Sequence, residues 1–303
     1  MNLNRMNRRQ FLHRTAAITV TALLPPSLLL AAESAGKRTA TDQVALGRTG
    51  IKISRLGFGA GSNSGNVQRN LGQETFNKLI RYAHERGITY IDCAQSYKTF
   101  EWIGTAIKGL PREKVFLQSK IGGKPDDILA AIDRHRRVYD TDYIDSVLIH
   151  CMVKTGWTDE WKRIMDGFDE AKSRKWIRAK GVSCHSLPAL QCSAASDWTD
   201  VHLVRVNPQG HVMDTPAEKW NAPSDASHVS PVMAEIKKMH AKGHGVIGMK
   251  MIGNGDFTNP DDREKAIRFA MSQPEIHAVV IGFKSTAEID EAIERINRAL
   301  AAA

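Results

Sequence analysis

Four residues whose side chains can move protons stand at or just after the ends of three successive apolar segments. Asp92 and Tyr97 lie in ITYIDCAQSY, Lys120 ends VFLQSK, and His150 ends YIDSVLIH. The segments read as strands that alternate with helices, and a parallel barrel brings the carboxyl ends of its strands to one face. We therefore expect the four side chains to meet at one mouth and to form a proton-donating site built around a phenol.

Such a site works if its neighbours tune the phenol. An unperturbed tyrosine has a pKa of about 10, and a nearby ammonium lowers it by stabilising the phenolate. Lys120 can supply this charge, Asp92 can hold Lys120 protonated, and His150 can donate a hydrogen bond to a substrate oxygen or relay protons. Taken singly, each residue has a structural alternative: a loop cap, a packing aromatic, a solvated lysine or a semi-buried histidine. Together and in this order they favour general acid–base catalysis.

Eight strand–helix units position these residues. The predicted strands lie near 55–59, 88–92, 115–119, 144–149, 179–183, 201–206, 245–249 and 278–281. The predicted helices lie near 73–86, 100–109, 125–138, 157–176, 186–195, 229–242, 260–272 and 285–300. Alternation indicates a parallel sheet and eight units indicate closure. The stretch 207–228 is rich in Pro, Asn, Asp and Ser, and predicts a long loop at the strand-end face.

The pattern extends into segments that resemble the aldo-keto reductase family. These are LGRTGIKISRLGFG, GITYIDCAQSY, EWIGTAIKGLPREKVFLQSK, AKGVSCHS and VVIGFKS. The resemblance covers most of 43–300 and implies a single α/β domain, a (β/α)8 TIM barrel. It also implies that VALGRTGIKISRL forms an N-terminal β-hairpin that caps the barrel, and that Tyr97, Asp92, Lys120 and His150 are the catalytic tetrad.

The resemblance further implies a nicotinamide cofactor, NADPH or NADH, and a small-molecule carbonyl substrate. The residues expected to bind the cofactor are Ser183, Met249, Lys250, Gly282, Lys284 and Ser285. Cys184 and Leu203 stand where many members have Asn and Gln for the carboxamide. Asp290 aligns with an Arg that contacts the 2′-phosphate in many members, so a carboxylate there would disfavour NADPH. Glycines 253 and 255 either let backbone amides approach the pyrophosphate or form a plain loop.

Two other functions stay open at this stage. The altered carboxamide positions suit a non-catalytic barrel that binds a nucleotide or a partner, because a fold alone does not define an activity. A metal-dependent hydrolase would use His150, His185, Cys151 or Cys184, but their spacing matches no known ligand set, and we predict no metal. The four cysteines form no CxxC pair, and we interpret them as small, semi-buried residues.

The first 35 residues read as an export signal. Arg5 precedes the segment RRQFL, which begins with Arg8 and Arg9. An apolar run follows to about Ala32, and small residues end the segment near Ala35. The Arg-Arg pair followed by Phe-Leu resembles a twin-arginine signal. We therefore expect residues 1–35 to engage the twin-arginine export machinery and the mature protein to be periplasmic. The run contains Pro25 and Pro26 and is short for a span, so no stable membrane insertion is expected.

Charge does not point to nucleic acid. The chain carries a net +9, and the first 35 residues hold four Arg against one Glu, which leaves +6 on the remainder. The densest basic run, RHRR at 134–137, lies on a predicted outer helix. A solvated helix face explains it, so no nucleic-acid partner is expected.

Overall fold

Eight parallel strands close into a barrel in the computed structural model, which describes residues 38–302. The strands are β3 (Leu56–Gly59), β4 (Tyr90–Asp92), β5 (Phe116–Ile121), β6 (Ile144–Met152), β7 (Ile177–Cys184), β8 (Val201–Arg205), β9 (Gly245–Met249) and β10 (Ala278–Ile281). Each pairs with its neighbour in chain order, and β10 closes on β3 with Val279 opposite Leu56. This confirms the predicted (β/α)8 barrel.

A two-stranded hairpin precedes the barrel, as predicted. β1 (Gln43–Ala45) and β2 (Lys52–Ser54) run antiparallel. Leu46, Ile51 and Ile53 join the apolar cluster inside the barrel. Their burial explains why the hairpin covers the end opposite the strand carboxyl termini, since those side chains would otherwise face water.

Helices surround the barrel. They are α1 (Asn66–Arg69), α2 (Gln73–Glu85), α3 (Ile103–Ile107), α4 (Ile128–Val138), α5 (Trp157–Glu160), α6 (Lys162–Ser173), α7 (Leu187–Ala195), α8 (Val229–Ala241), α9 (Pro260–Met271) and α10 (Thr286–Ala301). Short 3₁₀ turns occupy Phe100–Trp102, Arg112–Lys114, Ala226–His228 and Gly253–Gly255. The helix predicted at 157–176 divides at Trp161, whose backbone leaves the helical region at φ −104° and ψ 12°.

The alternation of side chains along the strands sorts the barrel interior into an apolar floor and a polar mouth. Tyr90, Phe116 and Leu148 pack inside at the floor. Further along each strand the same inward face carries a polar residue, because successive strand side chains alternate between faces. These residues are Asp92, two after Tyr90 on β4, His150, two after Leu148 on β6, and Lys120, four after Phe116 on β5.

The predicted signal at 1–35 lies outside the described residues. Within residues 38–302, no helix combines the length and apolar character needed to cross a membrane.

Candidate active site

A buried ion pair between Lys120 and Asp92 forms the base of the site. Lys120 Nζ lies 2.6 Å from Asp92 Oδ1 and 2.7 Å from Oδ2, and donates to the Cys93 carbonyl at 2.9 Å. Lys120 is 1% exposed and Asp92 5%. Burial would lower the pKa of Lys120, but Asp92 raises it above its usual value, so the amine stays charged. The three N–H groups of the ammonium thus already have acceptors.

Gln118 was not predicted, and it positions the carboxylate of this pair. Its Nε2 donates to Asp92 Oδ1 at 2.9 Å and to the Tyr90 hydroxyl at 2.8 Å. Gln118 stands two residues before Lys120 on β5, opposite Asp92 in register. A polar residue at an inward strand position was the signal that could have identified it.

Tyr97 lies above the ion pair, in the loop after β4. Lys120 Nζ is 5.0 Å from the centroid of its ring. The ring sits against Gly61, where a Cβ atom would lie 2.2 Å from Tyr97 Cε2, so only glycine leaves it room. Within residues 38–302 the Tyr97 hydroxyl has no hydrogen-bond partner, and the residue lines the cavity at the mouth.

Burial, rather than the ammonium, dominates the ionisation of Tyr97. Burial raises the pKa of Tyr97, and the positive charge of Lys120 lowers it by less. Lys120 acts in the predicted direction, but the net shift is upward, which corrects the expectation of a lowered pKa. The cause is that the free-energy cost of removing a phenolate from water exceeds the stabilisation that one ammonium, already paired with Asp92, gives to it. Tyr97 therefore holds its proton at neutral pH.

His150 meets Tyr97 edge-on at the end of β6. The two ring centroids are 5.6 Å apart, and Ser96 Oγ lies 3.5 Å from His150 Nδ1. Burial, with the charges of Lys120 and Lys250, lowers the pKa of His150 to about 3. The imidazole is neutral at physiological pH, so it can donate one hydrogen bond without carrying a charge.

A β-bulge follows His150. The pairing of β6 with β7 shifts between Ile149 and Met152, and Cys151 has φ 62°. The extra residue lets both His150 and Cys151 line the cavity. Ser183 Oγ accepts a hydrogen bond from Cys151 N at 3.1 Å and so holds the bulge in place.

A second buried pair, which the sequence reasoning missed, lies beside the mouth. Arg205 Nε is 3.5 Å from Asp214 Oδ1, with the two side chains 1% and 0% exposed. Arg205 Nη2 also donates to Asn221 Oδ1 at 2.8 Å and to His185 Nδ1. Arg205 lies on the same inward face of β8 as Val201 and Leu203, and a charged residue at this inward position was the available signal. Through Asp214 and Asn221, Arg205 holds the 207–228 loop against the barrel.

The orientation of His185 follows from these contacts. Arg205 Nη2 and Trp220 Nε1 both point at His185 Nδ1, the latter at 3.1 Å. Both atoms are donors, so Nδ1 accepts and the ring proton is inferred to lie on Nε2. Burial, followed by the charge of Arg205, lowers the pKa of His185 well below its usual value.

The tetrad opens into a cavity of about 850 Å³ that extends to the start of α10. Five of the six residues predicted to bind a cofactor line it: Ser183, Met249, Lys250, Gly282 and Lys284. Ser285 does not. Its Oγ accepts from Glu288 N at 3.2 Å and caps α10, while Glu288 Oε2 accepts from Lys284 N at 2.7 Å. Ser285 therefore caps the helix that it begins, and its part in binding a cofactor stays a prediction.

The three departures from the family pattern also lie outside the lining of this cavity. Cys184 is buried in the core outside the barrel strands, and Leu203 belongs to the apolar cluster inside them. Asp290 faces α2, where it accepts from the Tyr82 hydroxyl at 2.7 Å and pairs with Arg86 at 2.9 Å. Asp290 is thus paired with Tyr82 and Arg86 rather than lining the cavity, and the expectation that it disfavours NADPH stays a prediction.

His150, Cys151 and His185 each offer a ligand atom within 4.8 Å of the others. Three features oppose a cation there. Lys120, Lys250 and Arg205 all place positive charge near these groups, burial raises the pKa of the Cys151 thiol, and the inferred proton on His185 Nε2 removes a lone pair. The cluster suits hydrogen bonding to an oxygen better than it suits a metal.

Comparisons with known proteins agree with this architecture. Residues 55–300 match the sequence profile of the Aldo/keto reductase family. The chain is 36% identical over 117 residues to the 9,11-endoperoxide prostaglandin H2 reductase of Trypanosoma cruzi, covering 37% of this chain and 40% of that protein. It is 28% identical over 149 residues to the NAD/NADP-dependent indole-3-acetaldehyde reductase of Schizosaccharomyces pombe, covering 47% and 51%.

The chain therefore spans about half, or less, of the length of these curated relatives. Over a longer stretch, it resembles the holo form of an aldo-keto reductase from Bacillus halodurans. That likeness has a TM-score of 0.66 at 16% identity and covers 87% of this chain and 95% of the other. At this identity the likeness concerns the fold.

Proposed function

The chain belongs to the aldo/keto reductase family, and we propose that it is an oxidoreductase that reduces an aldehyde or ketone, or oxidises the corresponding alcohol, with NADPH or NADH. The observation that carries the proposal is the Lys120–Asp92 pair directly beneath Tyr97 and beside His150 at the mouth of the cavity. A purely binding barrel has no evident need for a buried charged pair under a free phenol, since such a pair is costly to bury.

Each side chain has a distinct part in the proton transfer. Tyr97 holds its proton until negative charge develops on the carbonyl oxygen, and then donates it. Lys120 stabilises the phenolate that remains, and Asp92 keeps Lys120 charged and in place. His150, as a neutral imidazole, donates a hydrogen bond to the same oxygen. Such acid–base assistance contributes about 10²–10⁴ in rate.

The cavity fits a nicotinamide nucleotide. Its volume lies within the range of cofactor sites, and Gly282 lets the chain after β10 approach Ser62, which lines the same cavity, since a Cβ would meet Ser62 Oγ at 1.9 Å. Met249 and Ser183 line the end near the tetrad, and Lys284 lines the end near α10. When bound, the nucleotide supplies the hydride, which no side chain of the protein can provide.

Replacing Tyr97 by phenylalanine tests the mechanism. We expect Y97F to lose turnover of a carbonyl substrate by at least about 10², while fluorescence titration still shows nucleotide binding. Tyr143 precedes β6 at the opposite end of the barrel, so Y143F is a matched control that should retain both. Turnover that survives in Y97F would contradict the mechanism, and wild-type protein that binds neither NADPH nor NADH would favour a non-catalytic barrel.

We also propose that the protein is exported and periplasmic. The support is the sequence RRQFL followed by the apolar run within residues 1–35. Cell fractionation of the full chain and of a variant with Arg8 and Arg9 both changed to Lys should place the first in the periplasm and retain the second in the cytoplasm. Equal distributions of the two would contradict export by the twin-arginine route.

A further inference from the structure

Lys250 holds an unusual position at the mouth. It directly follows β9 and has φ 59°, a left-handed backbone that side-chain-bearing residues seldom adopt. Its carbonyl accepts from Gly253 N at 3.0 Å, and its Nζ donates to Asn254 Oδ1 at 2.7 Å. The residue lines the same cavity as Tyr97 and His150. Strained backbone that is held by several contacts often marks a functional position.

Lys250 has no carboxylate partner among the described residues of this region. Lys120 is paired with Asp92, whereas Arg205 lies 3.5 Å from Asp214, whose pKa burial raises to about 7, so this carboxyl offsets Arg205 only in part at neutral pH. Among residues 38–302, no carboxylate lies within 4.0 Å of Lys250 Nζ. Asn254 supplies a neutral acceptor only, and it leaves two N–H groups of the ammonium for a ligand. Lys250 therefore presents a positive charge and two donors to the cavity, which would favour an anionic oxygen group.

We propose that the carbonyl substrate carries a carboxylate close to its reacting carbon, and that Lys250 binds this carboxylate. The inference rests on the proposed reductase function and narrows its substrate class to oxo acids. Lys250 would form a charge-assisted hydrogen bond with the carboxylate. Trp220 and His185 line the same part of the cavity, and the proton inferred on His185 Nε2 offers a further donor.

The pyrophosphate of the nucleotide is the alternative anion for Lys250, and two observations favour the substrate. The charge of Lys250 lowers the pKa of both His150 and His185, so it acts on the groups at the reacting end. The strand register agrees, because Met249, which precedes Lys250, pairs with Arg205 on β8, and Arg205 Nη2 donates to His185 Nδ1.

Binding through Lys250 should depend on pH. Burial, followed by the charges of Arg205 and Lys120, lowers the pKa of Lys250 to about 8. The charged or titratable groups around it at the mouth are Asp92, Lys120, His150, Cys151, His185, Arg205 and Asp214, together with Asp256 of the loop after β9, which lies 2.7 Å from His211. The ammonium is the form that binds, so affinity for a carboxylate should fall as the pH rises through about 8.

The experiment compares glyoxylate, a carboxylate, with methylglyoxal, a neutral carbonyl compound. In the wild type we expect kcat/KM to favour glyoxylate below about pH 8. K250M should lower the ratio of kcat/KM for glyoxylate to that for methylglyoxal by at least about tenfold. K250R should keep the preference and extend it above pH 8, because arginine stays charged. K124M, at an exposed lysine paired with Glu160, is the control.

Two outcomes would overturn the inference while leaving the reductase function intact. One is an unchanged substrate ratio in K250M. The other is a rise in nucleotide KM that lowers kcat/KM equally for both substrates, which would assign Lys250 to the pyrophosphate. If neither substrate turns over, calorimetry with oxamate and its neutral analogue oxamide decides the inference, while nucleotide binding by the wild type still tests the reductase proposal separately. Oxamate binding that K250M weakens at least about tenfold supports the anion site, and absent or unaltered binding refutes it.

Discussion

Replacing Lys120 by methionine would remove the positive charge beneath Tyr97 and keep much of the side-chain length. The ammonium lies 5.0 Å from the centroid of the Tyr97 ring. With an effective dielectric constant of about 20, a unit charge at about this distance stabilises a phenolate by about 3 kcal/mol, or about two pKa units. Asp92 offsets part of this effect. We expect kcat of K120M to fall by about 10²–10⁴.

The same change also destabilises the fold, and the two effects need to be separated. K120M leaves the carboxylate of Asp92 buried without its partner, which costs about 3–5 kcal/mol of the free energy of unfolding. D92N in the same chain removes the unpaired charge. The double variant should therefore recover most of the stability, but it should not recover kcat, because the charge beneath Tyr97 is still absent.

The assay is steady-state reduction of methylglyoxal, with urea unfolding of each variant measured in parallel. K124M removes an exposed lysine and should resemble the wild type in both measurements. A kcat for folded K120M within tenfold of the wild type would refute the electrostatic role of Lys120. If the double variant recovered kcat together with stability, the loss of kcat in K120M would be due to its lower stability alone.

Two further predictions concern a close contact and a buried carboxyl group. Gly61→Ala would place a Cβ 2.2 Å from the Tyr97 ring and should lower kcat, whereas Gly122→Ala brings its Cβ no nearer than 4.0 Å to His150 and should not; equal activities would contradict this. Burial raises the pKa of Asp214 to about 7 in the folded protein, whereas an aspartate of the unfolded chain has a pKa of about 4. The folded state therefore holds this proton more tightly, and the free energy of unfolding of the wild type should fall by up to about 4 kcal/mol as the pH rises from about 4 to about 7. Asp214→Asn should abolish that loss. Urea unfolding of both proteins at about pH 5 and about pH 8 measures it, and the same pH dependence in the variant and the wild type would contradict the reasoning.

The fold was predictable because its signals are local and repeated. Each strand is a short apolar run and each helix has apolar residues at spacings of three and four, such as Ile289, Ile293 and Ile296, which are all buried on α10. Eight such units leave few closed arrangements. The meeting of Asp92, Tyr97, Lys120 and His150 at one mouth was predictable for the same reason, because a parallel barrel carries every strand end to the same face.

The cofactor side was less predictable because alignment places a residue on an element but not on a face of it. Ser285 and Asp290 are both near the start of α10, yet Ser285 caps the helix and Asp290 turns toward α2. Arg205 was overlooked because its partners, Asp214 and Asn221, lie in a loop without periodicity. A loop's path depends on packing and hydrogen bonds that no short pattern encodes.

The sequence by itself determined the order of strands and helices, the hairpin, and the presence of Asp92, Lys120 and His150 at strand ends with Tyr97 just after one of them, since these follow from residue type and spacing. Only the tertiary structure decided the balance of charge among them. Burial outweighs Lys120 in setting the pKa of Tyr97 and keeps His150 neutral. Such shifts depend on how far water is excluded and on distances between residues remote in the chain, which exist only once the barrel has closed.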